Sequence, residues 1–263
     1  MGSATRSALQ SARSALAASS GVDLAAGEQL LAAARTIGSS PQLLSALSNP
    51  SADAAGTKAL VATVFAELGG AARALVEVVA SSRWSSGDDL LAGLEELGIR
   101  AIAATAKSSG DIEAELFEFG RAVTSDAELE LAIGSKRDSA AGKLSLVQSL
   151  LGGSASAQTV AIAGHLVQQP RGRRIGELVR SAAAIVADTA GKGVATVTVA
   201  RPLSATQLSA VTASIARRYG REHVVNQVVD PALVGGVRVQ VGDEVIDGSI
   251  ASRLADMKLQ LAG

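Results

Sequence analysis

The sequence contains no cysteine, which excludes disulfide bonds, zinc–thiolate sites and thiol catalysis. Aromatic residues are nearly as scarce, because Phe, Tyr and Trp together make up 2% of the 263 residues. Proteins that stack nucleic-acid bases on exposed rings need more aromatic side chains than this. The formal net charge of −1 also lacks the basic field of a general nucleic-acid binder. The composition therefore argues against thiol-redox, zinc–thiolate and nucleic-acid-binding functions.

Long apolar runs are missing as well. The most apolar window, residues 60–80, carries three charged residues and the break Gly69-Gly70, so no membrane span is expected. Residues 1–6 lack the apolar segment of a signal peptide. Hydrophobic residues nevertheless make up 48% of the chain, with Ala, Leu and Val the commonest, which suits closely packed helices. We expect a soluble, intracellular and mostly helical protein.

The spacing of apolar residues predicts a run of amphipathic helices over residues 1–190. In the first half, the apolar positions that mark successive helices are Leu9 and Leu16, Leu24 to Ile37, Leu43 to Leu47, Leu60 to Leu68, Leu75 to Val79, and Leu90 to Ile102. Gly69-Gly70 is expected to end the fourth of these helices. The gaps between helices are short, so neighbouring helices should pack antiparallel as a bundle.

The second half of this helical region repeats the first. The run from Asp53 to Lys58 aligns with the run from Asp138 to Lys143 at an offset of 85, and Gly69-Gly70 has a counterpart in Gly152-Gly153. Chance similarity between Ala-rich helical sequences is the alternative. The shared pattern Asp-x-Ala-x-x-Lys favours duplication, and a period of this length fits a duplicated small domain rather than a solenoid repeat.

The pattern changes at Gly191–Gly193, the predicted hinge. Alternating β-branched residues predict strands at 194–199, 224–229 and 236–241, with a short closing strand at Val245-Ile246. A capping box at Ser204–Gln207 begins a helix, and Ile250, Leu254, Met257 and Leu261 mark the apolar face of a last one. The predicted fold is mainly α with a small α/β C-terminal domain. It comprises two related antiparallel helical-bundle units, 1–106 and 107–190, followed by a β-α-β-β-α domain, 191–263.

Residues that could carry chemistry are few, and each has a simpler structural explanation. Gly142-Lys143 lacks the glycine that a phosphate-binding loop requires five positions earlier. The two histidines, His165 and His223, lie in different predicted domains, so a polar contact or a surface position is favoured over metal ligation for each. We expect no catalytic residue, no bound cofactor and no metal, which favours an adaptor over an enzyme.

Charged residues on the helices are expected to be solvated. This applies to the carboxylates Glu95, Glu96, Glu113, Glu115 and Glu118. The basic run Arg171, Arg173 and Arg174 is open to two interpretations, an attraction for an acidic partner surface or a solvated helix start.

The C-terminal domain carries a specific motif. The segments Val229-Asp230-Pro231-Ala232-Leu233-Val234-Gly235-Gly236 and Gly242-Asp243-Glu244-Val245-Ile246-Asp247 resemble the C-terminal signature of the delta subunit of F-type ATP synthase, called the oligomycin-sensitivity-conferring protein (OSCP) in mitochondria. Its signature residues here are Asp230, Pro231, Gly235, Gly236, Gly242, Asp243 and Asp247. The chain departs from the family in lacking its Arg-Tyr-Ala-like start and in its greater length. The duplication accounts for the length, as in the longer delta subunits of actinobacteria.

The resemblance implies a non-catalytic stator subunit that joins the catalytic head to the peripheral stalk and resists rotor torque. The helical domain would dock the N-terminal helices of the alpha subunits between its first and fifth helices, where the candidate residues are Leu9, Arg13, Leu16, Val76 and Val79. The C-terminal domain would hold the stalk b subunits, with candidates Leu254, Met257 and Leu261. For the first set the alternative is an ordinary place in the bundle core, and for the second it is contact with the domain's own sheet.

The family resemblance also implies peripheral attachment, through the complex, at the cytoplasmic face of a bacterial plasma membrane. No cofactor, no nucleic acid and no homo-oligomer is expected. Two other functions stay open. One is a helical adaptor unrelated to ATP synthase, and the other is a small-molecule transferase that uses the Gly235-Gly236 and Gly242 turns.

Overall fold

The computed structural model describes residues 2–106, 109–135, 138–233 and 235–248. These residues form twelve helices and four strands, in two compact units that divide between Val186 and Ala187. The first unit is helical and the second contains the sheet, so the predicted fold, mainly α with a small α/β domain at the C-terminal end, is confirmed. The boundary predicted at residue 106, between the two helical copies, stays a prediction.

The helices of the chain are α1 (Ser3–Ala18), α2 (Leu24–Ser39), α3 (Pro41–Leu47), α4 (Ala54–Val64), α5 (Gly70–Ser81), α6 (Gly87–Ala104), α7 (Ser109–Ser125), α8 (Ala127–Gly134), α9 (Ala140–Leu151), α10 (Ala157–Gln168), α11 (Ile175–Thr189) and α12 (Ala205–Tyr219). The strands are β1 (Gly193–Val199), β2 (His223–Val229), β3 (Val237–Val241) and β4 (Glu244–Asp247). The predicted last helix, from Ile250 onward, lies outside the described residues.

Helices α2–α6 and α7–α11 repeat one another in order. Corresponding helices begin 85 to 88 residues apart, and four of the five pairs differ in length by at most one residue. Buried positions repeat as well. The pairs of equivalent buried residues include Leu30 and Leu116, Ile37 and Val123, Val61 and Val147, Leu75 and Ile162, and Val79 and Leu166. Equivalent burial on α2, α4 and α5 and on their counterparts α7, α9 and α10 is what a duplicated fold produces, because each helix keeps its core-facing side.

Helix capping corrects the register of the repeat. Asp53 caps α4 by accepting a hydrogen bond from the Gly56 backbone N–H, and Ser139 caps α9 by accepting one from Gly142. The equivalent of Asp53 is therefore Ser139, and the predicted pairing with Asp138 is wrong by one residue. Either side chain serves, since Asp and Ser are both good N-caps.

The predicted equivalence of two glycine pairs is also wrong. Gly69 is the N-cap of α5, whereas Gly152 is the C-cap of α9. Helix α4 ends at Val64, before Gly69-Gly70 is reached, so this pair begins a helix rather than ending one.

The apolar cores of the two helical copies overlap at α2 and α6. One cluster of buried residues contains Leu30, Leu90 and Leu94 of these helices, together with residues of α1, α4 and α5. A second cluster contains Leu31 and Ile102 of the same two helices, together with residues of α7 to α11. Because α2 and α6 contribute to both clusters, the first unit cannot be separated into two independent cores.

The second unit is a four-stranded sheet in the order β2-β1-β3-β4. Strands β1 and β2 are parallel and are joined by α12, while β1 with β3 and β3 with β4 are antiparallel. The Ser204 hydroxyl oxygen accepts a hydrogen bond from the Gln207 backbone N–H, and Gln207 Oε1 accepts one from the Ser204 backbone N–H, which confirms the predicted capping box. Ala195, Val197 and Ile215 form the centre of this unit's core.

The close approach of α2 and α6 gives a stability prediction. A Cβ atom at Gly27 would lie 2.5 Å from Ile102 Cγ1 and 3.0 Å from the Ile102 backbone nitrogen, so Gly27→Ala must push the helices apart. We expect a loss of about 1–3 kcal/mol in the free energy of unfolding, measured by urea denaturation.

Gly70→Ala is the matched control, because nothing lies within 4 Å of a Cβ atom there. It should leave stability unchanged or raise it by about 0.5–1 kcal/mol. Equal effects of the two substitutions would contradict the close approach of α2 and α6.

Candidate functional site

Helices α1 and α5, predicted to form a docking surface, do pack against each other. Leu9, Val76 and Val79 point into the core and are 7%, 1% and 1% exposed. Arg13 is exposed and Leu16 is half-buried, so these two are the predicted docking residues that reach the surface. Arg13 Nη2 lies 2.6 Å from Glu96 Oε1 on α6, which holds this side chain against the bundle.

The start of α1 is fixed by hydrogen bonds. Thr5 is buried, its Oγ1 donates to Asp89 Oδ2 at 2.9 Å, and it accepts from the Ser85 backbone N–H at 3.1 Å. These contacts anchor α1 to the residues that begin α6. The N-terminal end of α1 is therefore held against the segment that joins α5 to α6.

The signature residues of the second unit form its turns. The Asp230 carboxylate accepts from the Ala232 backbone N–H at 2.9 Å, and the Asp230 backbone N–H donates to Val199 O, closing the turn that begins with Pro231 after β2. Gly235, Gly236 and Gly242 have φ values of +66°, +78° and +58°, a region that other residues rarely adopt.

The rest of the signature lies on the β3–β4 hairpin. Gly242 and Asp243 form its tight turn, and Asp247 accepts from Arg238 Nη2 at 2.9 Å across the two strands. The signature is thus explained by backbone geometry and a cross-strand ion pair. The predicted stalk residues Leu254, Met257 and Leu261 lie outside the described residues.

An ionic cluster around the buried Glu95 joins the two helical copies. Glu95 on α6 is 6% exposed and accepts two hydrogen bonds from Arg173, Nη1 to Oε1 at 3.0 Å and Nη2 to Oε2 at 2.9 Å. Arg171 Nη2 lies 3.1 Å from Glu95 Oε1, and His165 Nε2 on α10 lies 3.3 Å from Oε2. Arg35 Nη1 on α2 lies 3.0 Å from His165 Nδ1. We call these five residues the Glu95 cluster.

The contact with Arg35 determines the protonation of His165. A guanidinium group can only donate, so His165 Nδ1 must accept from Arg35 and carries no proton. The proton of the neutral ring is then on Nε2, from which it is donated to Glu95. One imidazole therefore connects α2, α10 and α6 through its two nitrogen atoms.

The pKa values of the cluster follow from burial and charge. Burial alone would raise the pKa of Glu95, but hydrogen bonds from His165 and Arg173 and the charges of Arg171 and Arg173 lower it to about 2. Burial lowers the pKa of His165, and the contact with Glu95 offsets only part of that effect. Glu95 is consequently ionised and His165 neutral at neutral pH.

The prediction that all these carboxylates are solvated is wrong for Glu95 and Glu113, which are buried, while Glu118 is exposed. Glu115 is half-buried and accepts hydrogen bonds from the Ser156 backbone N–H and hydroxyl at 3.0 and 2.6 Å. The basic run finds its acidic partner within the chain, because Arg171 and Arg173 bind Glu95.

Sequence reasoning missed the Glu95 cluster, although one signal was available. Glu95 lies in the apolar stripe Leu91–Gly98–Ile102 at helical spacing, where a solvated carboxylate does not belong. That stripe predicts burial of Glu95 and hence a cationic partner, but it does not identify which arginines supply the charge.

Other kinds of site were searched for over the described ranges. No group of three or more His, Asp or Glu there is arranged to hold a metal ion, and His223 makes a polar contact with the Arg221 carbonyl at 2.9 Å. Within the same ranges, no helix has the length and apolar character needed to cross a membrane. The described residues thus form a helical bundle and a small sheet domain, and the charge of the buried Glu95 is paired within the chain.

Comparison with known proteins identifies the family. The model of the family described as "ATP synthase delta (OSCP) subunit" matches residues 99–261. A protein from Leifsonia xyli subsp. xyli, described as ATP synthase subunit delta, is 52% identical over 264 residues that cover 100% of both chains. Proteins with the same description from Streptomyces griseus and Streptomyces avermitilis are 38% and 39% identical over 100% and 98% of both chains. The chain therefore belongs to the ATP synthase delta (OSCP) subunit family and is a non-catalytic stator subunit.

Family membership confirms the resemblance found in the C-terminal motif. It also shows that the two alternative functions, an unrelated adaptor and a transferase, are wrong. The glycines that suggested a transferase site are turn residues with positive φ.

The neutral state of His165 predicts a pH effect on stability. Burial has the largest effect on the pKa of His165 and lowers it. The charge of Glu95 raises this pKa, and the charges of Arg35 and Arg171 lower it further. The folded-state pKa is below the unfolded value near 6.5, so the unfolded chain binds the extra proton and stability falls as pH drops below about 6.5. The slope that His165 adds is at most about 1.4 kcal/mol per pH unit.

His165→Gln should remove this slope, because Gln can accept from Arg35 and donate to Glu95 without titrating. The measurement is urea unfolding between pH 7.5 and 5.0, followed by the fluorescence of Trp84, which is buried in the first unit. Parallel pH profiles for the wild type and the variant would show that His165 does not titrate on folding.

Proposed function

We propose that this subunit links the catalytic head of a proton-translocating F-type ATP synthase to its peripheral stalk at the cytoplasmic face of a bacterial plasma membrane. The head contact is with N-terminal segments of the alpha subunits, and the stalk contact is with the b subunits. The observation that carries this proposal is the full-length similarity, at 52% identity, to a protein described as ATP synthase subunit delta. The chain is held at the membrane only through the complex and forms no homo-oligomer.

The fold supports a two-ended connector. A linker between head and stalk needs two separate surfaces and little internal movement, and the chain consists of two compact units of different architecture. The first unit supplies a helical surface over an apolar core, and the second supplies a small sheet domain with its own core.

The head contact is proposed for the surface between α1 and α5. Leu16 is half-buried and Arg13 is exposed there, so the surface offers an apolar contact beside a positive charge. Leu9, Val76 and Val79 lie in the core beneath this surface. An amphipathic partner helix docks on such a surface by placing its apolar side in the groove.

The stalk contact is proposed for the C-terminal residues Leu254, Met257 and Leu261. Their helical spacing would present one apolar side to the b subunits. Their position in the sequence supports this assignment, because they lie shortly after Asp247, the last signature residue of the second unit.

Pull-down from a solubilised membrane extract of the source bacterium tests the head contact. The wild-type chain should recover alpha and b subunits. Leu16→Glu should reduce recovery of alpha by about tenfold or more and retain b, because a charge would be placed in an apolar contact. Leu131→Glu is the matched control, since Leu131 is a leucine of the same unit that is 73% exposed on α8, and it should retain both partners.

The same experiment tests the stalk contact. The double variant Leu254→Glu/Leu261→Glu should lose the b subunits and keep alpha. Recovery of neither partner by the wild-type chain would contradict the proposal. Loss of both partners in either variant would show that the two contacts are not separate.

A further inference from the structure

Helix α6 has two roles in the repeat. Helix α1 ends six residues before the first set of five helices begins, and α6 ends five residues before the second set begins, so at an offset of 86 residues 3–18 correspond to residues 89–104. In this alignment Ala8 corresponds to Leu94 and Leu16 to Ile102, and both α6 residues are buried. The match to the family model begins at residue 99, which is on α6. Each copy is therefore a six-helix unit, and α6 is the last helix of one and the first helix of the next.

The contacts of α1 and α6 agree with this assignment. Thr5 of α1 binds Ser85, just before α6. Glu95 of α6 binds Arg173, just before α11, and Arg173 is the equivalent of Ser85 in the second copy. In each copy the first helix therefore binds the segment just before the last helix. Helix α1 does so through the Thr5 hydroxyl, and α6 does so through the ion pair of Glu95 with Arg173.

The two copies differ in what lies over their first and fifth helices. In the second copy these helices are α6 and α10, and α2 packs against both of them. Arg35 of α2 binds His165, and Gln169 Nε2 at the end of α10 donates to the Ala34 carbonyl at 3.2 Å. A Cβ atom at Gly38 would lie 1.9 Å from Gln169 Nε2, so the two segments are in direct contact.

The equivalent side of α5 in the first copy is open among the described residues. Arg73, Ala74 and Ser81 are exposed, whereas Val160, Ala161 and Gln168, their equivalents on α10, are half-buried and line a cavity whose other wall is formed by α2 and α9. His165 is 1% exposed, while its equivalent Val78 is half-buried.

Part of the space between α2 and α10 is open to solvent. An open cavity of about 590 Å³ lies between α2, α9 and α10, lined by residues that include Ala32, Leu144 and Gly164. Because the side chains that line this cavity face solvent rather than one another, the polar contacts between α2 and α10 carry a larger share of the contact than they would in a filled core. Those contacts are the Glu95 cluster and the bond from Gln169 to Ala34.

We propose that α2 occupies, within the chain itself, the cleft between α6 and α10, and that the Glu95 cluster is the latch that holds it there. The two copies are consequently unequal, because one cleft between first and fifth helices is closed and the other is open. If the docking proposed above is correct, the duplication leaves one docking cleft for a partner helix and not two.

Hydrogen exchange on the full chain tests the latch without any partner, so its outcome is independent of the proposed function. Glu95→Gln removes the charge that both arginines bind. We expect amides of α10 and of the C-terminal half of α2 to exchange about tenfold faster or more, with α3–α5 unchanged. Unchanged exchange in α10, or equal acceleration of all helices in the first unit, would overturn the proposal.

Glu96→Gln is the matched control, because Glu96 is the neighbouring carboxylate on α6 and binds Arg13 and Arg100 instead. It should accelerate exchange in α1 and leave α10 as in the wild type. Loosening of α10 to the extent seen for Glu95→Gln would show that the effect is not specific to the latch.

A milder variant and a distance measurement keep the test decisive if Glu95→Gln does not fold. Arg173→Lys keeps the positive charge but cannot make both hydrogen bonds to Glu95, and it should loosen α10 to a smaller extent. Because the chain has no cysteine, spin labels can be attached at Ala32→Cys and Ala161→Cys, which line the same cavity. The distance between the labels should lengthen and broaden in Arg173→Lys, and an unchanged distribution would overturn the latch.

Discussion

The burial of α6 on all sides is the constraint on which the first unit depends. Glycines at 27 and 98 let α2 and α6 approach so closely that a methyl group at either position would meet the facing helix. An unpaired charge on such a buried helix would be strongly destabilising. The Glu95 carboxylate is accordingly paired with Arg171 and Arg173 from the second copy. The ionic cluster between the copies thus follows from the close packing of one helix pair.

Local chemistry made much of the fold predictable. The capping box at Ser204, the alternation in β1 and the glycine turns depend on residues a few positions apart, so the sequence displays them directly. The Glu95 cluster joins residues up to 138 positions apart, from Arg35 to Arg173, and only the packing of the two copies brings them together. The register error has a related cause, because Asp138 resembles Asp53 in type while Ser139 performs its capping role.

Recognition of the family and location of its contacts rest on different residues. The signature that identified the family consists of turn residues and a cross-strand ion pair, whose side chains serve the fold of the second unit. Three of the five predicted docking residues likewise serve the core. A motif that preserves a fold can identify a family without marking where that family binds its partners.

The overlap of the two cores has a mechanical consequence. Helix α6 contains 18 residues, so it spans about 27 Å as a single hydrogen-bonded rod. A force applied to the first copy therefore enters the second along this helix, because its side chains are packed into the cores of both copies.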